Sequence, residues 1–136
     1  MPIFSVSAFR RIVRASAVYD VLLTAAFATP WTFVLAHGQL SALNQVLGGA
    51  ALPAFSAFHI LFACLLGSVV LVWSVLRIRD PQPRFGRYDA VARLLFSLWM
   101  LWALVQTGAP LLWFFLLPEA AWGVVQALPP RREMPV

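Results

Sequence analysis

Lysine is absent from this chain of 136 residues, and its ten basic residues, all arginine, leave two long stretches empty. None lies between Arg14 and Arg77 or between Arg93 and Arg131. Charge of either sign is scarce: 11% of residues are charged and 62% hydrophobic, far from the roughly half-apolar, quarter-charged usage of soluble domains. The single Cys64 lies inside an apolar run, which excludes an intrachain disulfide, a dithiol redox centre and a cysteine-cluster metal site. Two histidines are too few for the usual histidine-rich metal or haem sites. The sequence has no glycine-rich phosphate loop and no nucleophile elbow, so it implies no metal and names no cofactor.

What fills the gaps between the arginines is long apolar sequence. Four runs, about 15–36, 53–76, 88–106 and 111–128, approach or exceed the ~20 residues needed to cross a hydrocarbon layer roughly 30 Å thick. Backbone groups find no water inside that layer, so each run is expected to be helical. The reading is an all-α, four-helix antiparallel bundle forming one integral membrane domain over 1–136. A cleaved signal peptide is disfavoured, because the first run exceeds the usual 7 to 15 residue apolar core and carries Asp20.

Arginine placement sets the expected threading. Alternating four helices puts all ten arginines on one side, while the other side, with residues 37–52 and the Thr107-Gly108-Ala109-Pro110 turn, has none. Such a split places both termini in the cytoplasm. It also accounts for the formal net charge of +5 without a nucleic-acid partner. Exclusive use of arginine further suggests a bacterium with a GC-rich genome, hence a multi-pass protein of the inner membrane.

Ionisable residues inside the runs carry whatever chemistry there is, because charges there are costly and face the bundle interior by default. Asp20 lies ~9 Å beyond Arg14 and Arg93 ~7 Å beyond Tyr88, both counted from the inner surface. Asp89 precedes Arg93 by the i,i+4 spacing that puts two side chains on one helix face. A structural ion cluster of Asp20, Arg93 and Asp89 is therefore expected. His59 lies ~9 Å below Pro53 and Glu119 ~12 Å below Leu111, counted from the outer surface, so these two are expected to meet mid-bundle. A carboxylate and an imidazole in low dielectric could hold a proton or give one to a ligand. Trp122 lies beside Glu119. Trp99 and Trp102, one turn apart, are expected either to anchor at an interface or to line the same pocket. His37 is expected in a solvated loop, and Pro30 and Pro118 are expected to kink the first and fourth helices.

Asp20 in the first run, His59 in the second, and Leu117-Pro118-Glu119 before Trp122 in the fourth give a pattern that resembles the small four-helix membrane proteins of the DoxX-like and EXPERA-like groups. The resemblance is architectural and covers roughly Arg11 to Leu128. It implies a pocket within the bundle for a sterol-like, quinone-like or other lipophilic molecule, or an accessory role beside a membrane-protein partner or a second copy of the chain. The expected function is binding of a lipophilic ligand, or of such a partner, through Glu119, His59 and the neighbouring tryptophans. Two alternatives remain: an isomerase-like enzyme in which Glu119 and His59 are the catalytic groups, and a purely structural subunit.

Overall fold

Helices follow one another along the computed structural model, which describes residues 4–128 and Pro130. α1 spans Val6–Thr24, α2 Pro30–Val46, α3 Ala57–Arg79, α4 Pro83–Thr107 and α5 Leu112–Ala127. A 3-10 turn, Ala25–Phe27, separates α1 from α2. The all-α class read from the sequence is the observed one. α3 and α4 are each long and apolar enough to cross a membrane. Val6–Phe27 and Pro30–Val46 reach that measure only as a pair and are bent by 99°, and α5, though apolar, has 16 residues. By length and composition the described residues thus hold two candidate spans, or three if the bent pair is one.

The run at 15–36 is not one kinked helix, and 37–52 is not all loop. Thr29 is extended and its hydroxyl accepts the Thr32 N–H at 3.3 Å, while Pro30 takes the first helical position. Proline is at home there, since its missing N–H would be unpaired anyway and its φ is already helical. Pro30 therefore starts a second helix instead of bending the first, and that helix continues through His37 to Val46. Pro118, by contrast, stays inside an unbroken α5.

Polar side chains of α2 tie down the connection that follows it. Asn44, 1% exposed, donates to the Ala50 carbonyl at 2.8 Å and accepts the Leu111 N–H at 3.1 Å, joining α2, its loop and the start of α5. Ser41 Oγ accepts the Leu52 N–H and His37 Nε2 donates to the Pro53 carbonyl, both at 3.0 Å. α3 and α4 are joined by residues 80–82 alone, where the Gln82 amide donates to the Asp80 carboxylate and Pro83 opens α4. Gly108, at φ +63°, ends α4 in the left-handed conformation that a side chain resists.

α1 packs against α3, α4 and α5, and α4 lies along α5. α3 meets the turn after α1 closely at Gly67, where a Cβ would sit 2.8 Å from the Phe27 carbonyl oxygen. Phe4 and Pro130 form an isolated bridge, so the two ends of the described chain meet. The interior is polar and the outside apolar. Of the eight largest fully buried side chains, six are polar: Arg77, Arg93, Gln126, Asn44, Ser16 and Ser74. Leu22, Phe58 and Val105 are meanwhile 75%, 72% and 74% exposed.

Candidate functional site

Four helices contribute to one buried ionic cluster. α1 presents Ser16 and Asp20, four residues apart on its inward face, and α3 presents Ser74 and Arg77. α4 presents Asp89 and Arg93, one turn apart, and α5 presents Glu119 and Gln126, two turns apart. These spacings aim each pair along one side of its helix.

Arg77 Nη1 donates to Asp89 Oδ2 at 2.5 Å and to Ser16 Oγ at 3.3 Å; its Nη2 donates to Asp20 Oδ2 at 2.5 Å and to Ser74 Oγ at 3.2 Å. Its guanidinium also lies 5.5 Å from the Trp73 ring centroid, and Trp73 Nε1 donates to Asp89 Oδ1 at 3.1 Å. Arg93 Nε donates to Asp89 Oδ2 and Gln126 Oε1, both at 3.0 Å. Arg93 Nη1 reaches Glu119 Oε2 at 2.8 Å, and Nη2 reaches both Asp20 oxygens at 2.7 and 2.8 Å. Gln126 Nε2 closes the network on Ser16 Oγ at 2.8 Å. The planar fork of arginine allows such shared, two-pronged pairing, which a lysine point charge cannot reproduce.

Charge does not balance within the cluster. Three carboxylates face two guanidiniums, a formal charge of −1 with every group ionised. Burial is uneven as well: the side chains of Arg77 and Arg93 are 0% and 1% exposed, while those of Asp20 and Glu119 keep 12% and 10%.

That residual exposure opens onto a cavity of about 840 Å³ between α3 and α4, backed by α1 and α5 and covered by the loop after α2. Asp20, Asp89, Arg93 and Glu119 line one end; Leu23, Phe27, Val69, Val70, Phe96 and Met100 belong to its apolar wall; Asn44 and Thr107 lie at the other end. The volume falls in the range of small-molecule sites, which are mostly apolar with a few convergent polar groups.

The structure brings together Asp20, Arg93 and Asp89 as the sequence implied, and adds Glu119 to them. It does not bring His59 to Glu119. His59 is exposed in the first turn of α3, where its Nδ1 accepts the Ser56 N–H at 3.3 Å and the Ser56 hydroxyl at 3.0 Å. The Ser-x-x-His spacing makes it a helix cap, which leaves Glu119 without an imidazole partner. Trp99 and Trp102 are each 60% exposed and do not line this cavity. Trp122 packs on Tyr19, ring centroids 6.1 Å apart, rather than in the cavity wall. His37 belongs to α2, with Phe33 and Phe55 centroids at 6.0 and 5.0 Å. Among the described residues no group of three or more His, Cys, Asp or Glu is arranged to hold a metal ion.

Arg77 is the residue the sequence hid. Beside Arg79 at the end of an apolar run it reads as a surface anchor; its signal was Ser74 three residues earlier and Trp73 four earlier, on the same face. Comparison with protein-family models, curated proteins and solved structures finds no match to this chain.

Proposed function

We propose that this chain is a multi-pass inner-membrane protein that binds a lipophilic small molecule between α3 and α4, beside the Asp20, Asp89, Arg93 and Glu119 cluster. The cavity of about 840 Å³ is the observation that carries the reading: an apolar chamber with one charged end suits an amphipathic guest. The membrane setting is supported by the inverted pattern of burial, with arginines inside and leucines outside, which water would not tolerate but lipid would. In this reading α1, α3, α4 and α5 cross and α2 lies at the outer surface over the cavity. Both termini are cytoplasmic, consistent with the Phe4 and Pro130 pairing and with exposed Arg10, Arg11, Arg14, Arg79, Arg84 and Arg87 at one end of the bundle. An acid–base enzyme is the weaker reading, since His59 caps a helix away from Glu119.

Native mass spectrometry of the protein released from mild detergent tests the proposal. The expected spectrum shows one amphipathic lipophilic molecule per chain, absent from Ala103→Phe, which places a bulky side chain in the cavity wall. Ligand retained by that variant, or a wild-type chain that carries only bulk phospholipid, would count against it.

A further inference from the structure

The division of labour inside the cluster constrains the guest's polar end. Both guanidiniums are committed to the protein: all three Arg93 nitrogens donate to carboxylates or Gln126, and both terminal nitrogens of Arg77 donate to Asp20, Asp89, Ser16 and Ser74. Arg77 Nε, the one nitrogen of these two guanidiniums with no partner among the described residues, is fully buried, and Arg77 does not line the cavity. The acids are placed differently. Asp20, Asp89 and Glu119 all line the cavity and keep 12%, 5% and 10% of their side-chain surface. Glu119 engages Arg93 through Oε2 alone, and its Oε1 accepts no hydrogen bond among the described residues. The charged end of the chamber therefore offers carboxylate acceptors and its guanidinium donors are spent, which leaves the neutral Tyr88 hydroxyl as a donor there.

Charge points the same way. A guest bearing one positive charge brings three carboxylates and two arginines to neutrality, while an anionic head would take the formal charge from −1 to −2 beside side chains no more than 12% exposed. The apolar wall then has to take a long tail. On α4 the lining runs from Tyr88 to Thr107, a rise of about 28 Å along the helix.

Resting on the cavity reading above, we infer that the cavity selects a long-chain amphiphile whose polar end is a hydrogen-bond donor, a protonated amine first and a hydroxyl second, and rejects carboxylate and other anionic heads. The amine stands against Glu119 Oε1 and the exposed edge of Asp20, and the tail lies along Leu23, Phe27, Val70 and Phe96.

The test is saturation binding of radiolabelled dodecylamine to the full chain in phosphatidylcholine nanodiscs, with dodecanol and dodecanoate as competitors. Saturable binding of one amine per chain is expected, with dodecanol weaker by roughly tenfold, about 1.4 kcal/mol, and dodecanoate not competing. Glu119→Gln should narrow the gap between amine and alcohol, and Glu119→Asp should restore it. Dodecanoate competing as well as dodecanol overturns the inference on head-group charge while leaving the cavity in place. No saturable binding of any probe, or binding unchanged in Ala103→Phe, overturns the cavity reading itself. The ranking of the three probes on the unaltered chain decides the question even if a Glu119 variant does not fold.

Discussion

Arg93 pairs with acids from α1, its own helix and α5, and Arg77 with acids from α1 and α4, so the two positive charges are the scarce component of the cluster. Removing one leaves buried carboxylates unpaired, whereas removing Glu119's charge brings the count to balance. Arg93→Met is therefore expected to lose about 3–5 kcal/mol, and Arg93→Lys a large part of that. Glu119→Gln, which still accepts from Arg93, should stay within about 1 kcal/mol of the parent. Denaturation in mild detergent distinguishes them; equal losses for Arg93→Met and Glu119→Gln would contradict this assignment. At this scale the sequence was legible where two cues coincided. Asp20, Asp89 and Arg93 agree in depth and helix face, and so they meet. Glu119 was placed nearer the opposite surface, and the reach of the Arg93 side chain closed a difference that counting residues along helices does not include. Arg77 was illegible because an arginine closing an apolar run reads as a surface anchor.

The elements were legible in their apolar lengths and less so in their joints. α3, α4 and α5 lie within a few residues of the runs read from hydropathy, because apolar length dictates them directly. The first run failed at Thr29-Pro30, where the same residues fit a kink and a fresh start, and only the extended backbone of Thr29 separates the two. Thr29→Ala should cost about 1 kcal/mol through loss of the α2 cap. A harsher change is Gly67→Leu, which drives a side chain into the Phe27 carbonyl, 2.8 Å from where a Cβ would stand. It should separate α3 from the turn above it and lower the melting temperature by more than Thr29→Ala does. The reverse order in a thermal melt would show that the turn yields easily.

As a whole, the molecule buries its ionic cluster and turns leucines, valines and phenylalanines outward, a pattern that fits the apolar solvent of the proposed membrane setting. Composition pointed to that solvent, but no composition shows which face of each helix turns inward, and the cavity depends on how α3 and α4 stand apart between α1, α5 and the loop after α2. Threading is open to direct test. With Cys64 replaced by alanine, a cysteine at Gln45 should react with an impermeant maleimide from the periplasmic side. One at Arg84 should react only after the membrane is opened. Labelling in the opposite order would invert the proposed topology.

The sequence order of the ion pairs bears on how such a bundle is made. Asp20 emerges with α1 and meets its first opposite charge, Arg77, at the end of α3. α4 then delivers an acid and a base together, Asp89 and Arg93, which pair within the helix at 3.0 Å. A chain synthesised as far as Thr107 thus holds two carboxylates and two guanidiniums of the cluster, and in the proposed four-span topology neither α3 nor α4 leaves a net charge stranded in lipid as it inserts. Only the arrival of α5, with Glu119, upsets the balance, so under that topology the excess negative charge and the last wall of the chamber would enter the membrane in the same step of biogenesis.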